Sequence, residues 1–451
     1  MNTSPSDLAA VQHFDAVIIG AGFTGLTAAY RLSGKGQKVA IVETDKSVGG
    51  LAGTFSFADG VEVEKFYHHW FNNDEEVPRL IAELSVESEV VTRPVRNGMF
   101  FNKTIWNLST PLDLLRFNAL SLRDRLRLGL LVYRVRLTKD WRSIEHLTIR
   151  EWLEPLCGPT VYKVVWEPLI RAKFSAYAEK IGAVWMWKKL ALRGATRNRR
   201  GREELAYFKG GFGKLAEILV DAIRANGGQL FLATTATGVK SEGSKISSLE
   251  TTRGIISGDR FLFTPAFPLI AKLFRGKVDP SWLSTLQRVR YLGNICLVLR
   301  LDRKLSDTYW LNVNDPGFPF VGVIEHTNFD GPSNYQGSHI AYLSRYVAPH
   351  DPVLEFDDHQ YFDYAFAHLT RMFPNLTASW VIDYRVWRAT YAQPVTETHY
   401  SSYVPGHATP YNNAWISTMA QIYPEDRGTN YAIREGRKIA DLMATRSSDA
   451  S

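Results

Sequence analysis

The stretch that most constrains what this chain can fold into lies in residues 14–54. An apolar run, Ala16-Val17-Ile18-Ile19, enters Gly20-Ala21-Gly22-Phe23-Thr24-Gly25 and continues into the helical pattern Leu26-Thr27-Ala28-Ala29-Tyr30-Arg31-Leu32. Strand, glycine turn and helix in that order lead to a parallel sheet with helices packed on it. A second apolar run, Val39-Ala40-Ile41-Val42, ends on Glu43, eighteen residues beyond Gly25. These residue types at this spacing suit a dinucleotide. Gly20 permits a tight turn, Gly22 lets backbone approach a pyrophosphate, and Gly25 lets helix and strand pack closely. The helix start at Phe23 and Thr24 presents N–H donors and a positive dipole to phosphate. Glu43, followed by Thr44, is placed to accept hydrogen bonds from adenosine ribose hydroxyls.

The next residues choose among dinucleotides. Asp45-Lys46-Ser47-Val48-Gly49-Gly50-Leu51-Ala52-Gly53-Thr54 adds a diglycine after the acidic residue, which a nicotinamide site does not need. It resembles the diglycine motif of the flavoprotein group that contains amine oxidases, protoporphyrinogen oxidases, carotenoid desaturases and UDP-galactopyranose mutases. That resemblance implies bound FAD, with Gly49, Gly50, Leu51 and Ala52 against it. Members of the group often carry Arg before and after the diglycine, where Ser47 and Leu51 stand here, and Leu51 weighs against an amine oxidase.

Composition sets outer bounds. With 451 residues, 45% of them hydrophobic and 22% charged, the chain can bury a large core in two or three lobes. It has no apolar run of about 18 residues or more, as a spanning helix needs. The first thirteen residues lack the basic start and apolar centre of a secretory signal and read as a leader. Cys157 and Cys296 alone are present, which points to a reducing, cytoplasmic compartment and away from disulfides or a thiolate metal site. A net charge of +7 spread over this length does not imply nucleic-acid binding.

Further along, Val61 and Val63 alternate as in a short strand, and Tyr67-His68-His69-Trp70-Phe71 brings two histidines and three aromatics together. In the resembled flavoproteins this region passes the flavin ring with a His ahead of an aromatic pair, which implies His69 as a catalytic and cofactor-contacting residue. No metal role is expected, because adjacent histidines in a strand point apart and no acid or thiol stands at ligand spacing.

Residues 110–204 read as a helical insert. Thr110-Pro111-Leu112-Asp113 is a helix start, and leucines recur from Leu114 to Leu131 with Arg116, Arg123, Arg125, Arg127, Arg134, Arg136 and Lys139 interleaved. Such a stretch is either a solvated helix face or a peripheral contact with an anionic membrane. Leu147-Thr148-Ile149-Arg150-Glu151-Trp152-Leu153 and Val165-Trp166-Glu167-Pro168-Leu169-Ile170 resemble the insert of protoporphyrinogen-oxidase-like proteins, which roofs their substrate cavity. Arg193, Arg197, Arg199, Arg200 and Arg202 then crowd one segment, as an exposed loop or as a clamp for an anionic substrate.

After the insert, Gly210-Gly211-Phe212-Gly213 leads into a helix that closes at Asn226-Gly227-Gly228, with strands expected at 230–232 and 235–240. The resemblance implies that the backbone of Val239 touches the adenine edge. A hairpin follows at 241–256. Strands at 296–301, 318–324 and 340–343 and an amphipathic helix at 361–372 make the middle strand-rich. Glu325-His326-Thr327-Asn328 follows a strand expected to floor the cavity, so His326 is a second catalytic candidate, with a polar hairpin turn as the alternative. Near the end come a last strand at 415–418, the loop Pro424-Glu425-Asp426-Arg427-Gly428-Thr429-Asn430 and a closing helix. This resembles the C-terminal flavin motif, where a helix start faces the N1 and C2 carbonyl edge. It implies Arg427, Thr429 and Asn430 as cofactor neighbours.

The expected architecture is α/β joined to α+β. A Rossmann-like FAD-binding domain comprises residues 1–75, 205–270 and 386–451; a strand-rich substrate domain comprises 76–109 and 271–385. The expected function is two-electron oxidation of a hydrophobic or amphiphilic small molecule by hydride transfer to flavin N5, as in protoporphyrinogen oxidases and desaturases. The alternative is a UDP-galactopyranose-mutase-like enzyme using reduced FAD on a nucleotide sugar. No second G-x-G-x-x-G is visible, which favours dioxygen, a quinone or another carrier as electron acceptor. The oligomeric state stays open.

Overall fold

The computed structural model describes residues 12–193 and 203–445. Its organising layer is a sheet built on the first strand, Gln12–Ile19. Val39–Val42 pairs parallel on one side of it and Gly254–Phe263 on the other; Gln229–Phe231 extends the first side, and Ala414–Ile416 joins the second. The hairpin strands Lys245–Thr251 and Ala236–Glu242 complete the seven. Val39–Val42 is buried on both faces, as continuous apolar runs in a parallel sheet require. Three helices, Phe23–Ser33, Gly211–Ala225 and Thr429–Thr445, supply the apolar layer over it.

A second seven-stranded sheet runs in the order Val381–Pro394, Tyr291–Leu301, His339–Val347, Gly322–Glu325, Trp310–Val313, Asn97–Phe101, Thr104–Asn107. The strand Tyr291–Leu301, second from one edge, is buried along its whole length. The expected strand at 318–324 is shorter than its apolar run, because Pro319 has no N–H for a ladder, and pairing begins at Gly322. Val381–Pro394 runs through position 386 as one strand of this sheet, so the boundary expected at 385/386 falls inside an element. A third, small sheet joins Trp70–Phe71, Glu204–Phe208 and Val90–Pro94, and ties together pieces expected in different domains.

The insert is helical where described: Pro111–Arg116, Leu122–Val135, Ile149–Cys157, Glu167–Phe174 and Ala183–Arg193. Thr110 and Asp113 form a reciprocal capping box at the expected helix start, and Thr148 and Glu151 form another. Trp152, Ile170, Trp185 and Leu131 share one apolar cluster, so the insert has its own core. Cys157 and Cys296 are free and buried. Among the described residues no helix is long and apolar enough to cross a membrane.

The first and closing helices cross with almost no space between them. A Cβ on Gly436 would stand 2.6 Å from the Thr24 carbonyl oxygen and 2.8 Å from the Thr27 Cβ. Backbone cannot yield as a flexible side chain would. Gly436→Ala is therefore expected to destabilise the protein by about 1–3 kcal/mol, read as a lower thermal midpoint by calorimetry.

Candidate active site

Where the first strand ends, the glycine turn folds tightly on itself and the diglycine loop lies against it. Gly20 adopts φ +101°, and a Cβ on Gly25 would stand 2.1 Å from the Gly20 carbonyl oxygen. Gly22 is the extended N-cap of the helix Phe23–Ser33; no side chain caps that end, and the space where its Cβ would stand is open. The diglycine lies beside it. The Gly49 N–H donates to the Ala21 carbonyl at 2.9 Å, and a Cβ on Gly50 would be 3.4 Å from the Gly22 Cα. An uncapped helix start facing open space, walled by backbone, fits a pyrophosphate.

Glu43 ties this turn to its own loop. One carboxylate oxygen accepts the Ala21 N–H at 2.6 Å and the other the Asp45 N–H at 2.8 Å. Burial pushes its carboxyl above the ordinary value despite those donors. Each oxygen keeps a further lone pair, so ribose hydroxyls can still be accepted. Thr44 beside it is exposed.

Val239 lies elsewhere. It is buried and pairs with Leu249, which pairs with Ile256, which is level with Gln12 at the start of the first strand. The backbone that meets the acidic loop comes before it: the Ala233 and Thr234 N–H groups donate to the Asp45 and Glu43 carbonyls at 2.9 and 2.8 Å. The strand Ala236–Glu242 turns into the hairpin, and this carries Val239 away from Glu43.

From Leu51 a cavity of about 340 Å³ opens toward the insert. The segment Phe66–Phe71 lines one wall, and residues 427–431, at the start of the closing helix, line another. The insert closes it with Trp166, Lys173, Trp185 and Lys189, and the second sheet adds Trp310 and Tyr346. Leu51, His69, Arg427, Thr429 and Asn430 all reach this cavity, while Ala52 is buried behind it.

The individual groups have definite partners. His69 Nδ1 lies 2.9 Å from the Tyr309 hydroxyl. His68 Nδ1 lies 2.6 Å from the Phe66 carbonyl, and burial lowers its ring to about 4, so it is neutral at pH 7. The Asn430 carbonyl oxygen accepts the N–H groups of Glu76 and Val77 at 2.8 and 3.2 Å. It thus anchors the start of another helix, and what it can offer the cavity is its amide nitrogen. Arg427 donates to Gln393 Oε1 and the Tyr346 hydroxyl.

Asp426 is the electrostatic centre of the far wall. Lys189 Nζ is 2.9 Å and Lys173 Nζ 3.6 Å from its Oδ2. Burial opposes its ionisation, but Lys173, Lys189 and Arg427 outweigh that and hold it well below the usual carboxylate range. The Tyr346 phenol, raised by burial, is brought below its ordinary value by Lys173 and Arg427. Lys188 pairs with Glu425 at 3.2 Å. Sequence reading singled out only Arg427 here; the Glu425-Asp426 pair in the same loop was the available signal. The lysines on the insert helices carry no local motif.

His326 is not in the cavity. It is buried, with Nε2 2.6 Å from the Tyr335 hydroxyl and its ring edge-on to Tyr207. Burial lowers it to about 3. The short helical turn His326–Asn328 folds the ring under the sheet, so the turn alternative describes it and a catalytic contact does not. The same interior holds Glu64, whose Oε1 accepts from the Tyr207 hydroxyl and the Phe212 N–H. Of the arginine cluster, Arg197, Arg199, Arg200 and Arg202 lie outside the described residues; Arg193 ends the helix Ala183–Arg193.

The sequence profile of the family described as flavin containing amine oxidoreductase matches residues 23–443. The chain belongs to that family. FAD is therefore its cofactor and oxidoreduction its class of chemistry; the open helix start, the diglycine and Glu43 are the residues that fit the group. Among solved structures, this amine oxidoreductase superposes on a protein assigned as a protoporphyrinogen oxidase from Exiguobacterium sp. 255-15, with TM-score 0.75, 14% identity and 97% and 99% of the two chains covered. Cyclohexylamine oxidase from Brevibacterium oxydans IH-35A gives 0.73 and 15%, covering 96% and 99%. Reduced UDP-galactopyranose mutase gives 0.70 and 14%, covering 96% and 95%. No curated protein sequence matches significantly. Leu51, which weighed against an amine oxidase, does not exclude the chain from this family.

Burial pushes the Glu64 carboxyl up to about 7. Between its ordinary value and 7 the folded state holds a proton that the unfolded state has lost, so this group lowers stability as pH rises through that window. Below the window nothing is lost. Glu64→Gln is expected to flatten the fall in thermal midpoint from about pH 5 to pH 7, a span on the order of 3 kcal/mol, measured by calorimetry across pH.

Proposed function

We propose that the chain removes two electrons from a hydrophobic small molecule bearing an anionic group, as protoporphyrinogen oxidases and desaturases do with amphiphilic donors. The observation that carries this reading is the far wall, where Lys173, Lys189 and Arg427 surround the single carboxylate of Asp426. A substrate carboxylate or phosphate would find charge-assisted hydrogen-bond donors in this cluster of cations. Trp166, Trp185, Trp310 and Tyr67 around the same space offer apolar and aromatic surface to the rest of the donor.

Bound FAD supplies the hydride acceptor at N5. The chain's own residues then position and exclude. The start of the helix Thr429–Thr445 lies at the cavity wall, where the positive end of its dipole favours negative charge. His69 is the imidazole on the opposite wall, oriented by Tyr309, and is placed to take the proton that leaves with the hydride. His68, held neutral, adds no charge. The insert covers the space from water. The cytoplasm, a reducing compartment, suits two buried free thiols.

A second reading rests on the same cations: they would also suit the diphosphate of a nucleotide sugar, as in the mutases that work with reduced flavin. Anaerobic mixing of holoenzyme with porphyrinogen, isoprenoid, amine and nucleotide-sugar candidates separates the two. Bleaching of the flavin by an anionic apolar donor is the expected result. Bleaching by amines alone would overturn the charge argument, and turnover of a nucleotide sugar only after dithionite reduction would favour the mutase reading.

Two variants sharpen it. Lys189→Ala is expected to raise the dissociation constant of the anionic donor about tenfold or more while the limiting rate of flavin reduction changes little. His69→Ala is expected to lower that limiting rate by about 100-fold or more with donor affinity nearly unchanged. Stopped-flow titration of flavin absorbance reads both.

A further inference from the structure

The helix Leu122–Val135 is apolar on two sides. Leu131 and Val135 are buried in the insert core. Leu122, Leu126, Leu130, Tyr133 and, in the turn after the helix, Leu137 recur at spacings of four, four, three and four, one stripe about 80° wide at 100° per residue, and they face out. Leu112 and Leu115, on the preceding short helix Pro111–Arg116, extend it; a Cβ on Gly129 would lie 3.5 Å from the Leu114 side chain, so the two helices touch. All seven are between 49% and 65% exposed. Of the eleven large hydrophobic side chains most exposed among the described residues, eight fall between Leu112 and Leu137. Scattered exposed leucines need no explanation, but a concentrated stripe does.

We propose that this face docks on the surface of an anionic membrane, the leucine stripe entering the acyl boundary and the basic side chains meeting lipid phosphates. Charge selects the occupant. Residues 110–140 hold seven basic and three acidic residues, and one of the acids, Asp124, is buried and paired with Arg127 at 3.1 Å. On the helical wheel Arg123, Arg127 and Arg134 lie along one edge of the stripe and Arg125 along the other. Arg125 and Arg134 also hold the carbonyls of Leu120 and Leu156, which braces the platform. A second copy of the chain would set these arginines against their own kind. Anionic lipid attracts them, at about 1 kcal/mol per basic residue near the surface, while leucines and a tyrosine enter the interface.

The placement has a use. The insert that carries the stripe also supplies Trp166, Lys173, Trp185 and Lys189 to the cavity wall, so an apolar donor dissolved in lipid lies near the roof of the site. The docking itself stands apart from the substrate reading.

Flotation of FAD-loaded protein with vesicles tests it. Vesicles of phosphatidylcholine with about one-third phosphatidylglycerol are expected to carry at least about tenfold more protein than phosphatidylcholine alone. Leu126→Asp with Leu130→Asp is expected to abolish flotation, and Arg116→Glu with Arg123→Glu to remove the anionic preference. Both pairs are exposed and should keep flavin absorbance and thermal midpoint. No flotation of the parent protein, equal flotation of the leucine variant, or a concentration-dependent dimer that the leucine variant dissolves would each overturn the proposal, the last in favour of a self-interface.

Discussion

Close approach of backbone to backbone at the end of the first strand is the constraint on which the rest depends. Gly25 lies on the Gly20 carbonyl, Gly50 beside Gly22, and Gly436 on Thr24. The first and the last of these contacts are possible because a Cβ is missing, and the helix start beside them is left uncapped and open. Negative charge is then favoured at that point by N–H groups and dipole alone. Glu43 locks the arrangement by spanning Ala21 and Asp45. A side chain at any of these glycines would close the space or push the helices apart.

A second constraint is electrostatic and joins distant parts of the chain. Asp426 and Glu425 in the closing loop hold Lys173, Lys188 and Lys189 of the insert. Two half-buried carboxylates thus fasten the roof of the cavity to the closing loop. Lys173, Lys188 and Lys189 also line the cavity, so the contact that fastens the roof shapes the cavity as well.

The insert faces three ways, and its residues sort accordingly. Leu131, Trp152 and Trp185 make its core, Lys173 and Lys189 reach the cavity, and Leu122, Leu126 and Leu130 look outward. Leucine periodicity alone cannot tell the first from the third, since both are helical stripes on one helix. Burial separates them.

What the sequence determined by itself was whatever depends on neighbours along the chain. The strand-turn-helix at Gly20 to Gly25, the diglycine and the helix start at Thr110 are local, because turn conformation and helix starts need only the residues beside them. Tertiary structure decided what depends on register and on facing elements. Val239 lies in the correct hairpin, but pairing carries it away from Glu43. His326 follows the correct strand, but its turn points it into an aromatic interior. Lys173 and Lys189 belong to no motif and acquire a role only because Asp426 folds against them. The cofactor is written in short-range spacing; the substrate side is assembled from three distant segments, where no spacing could announce it.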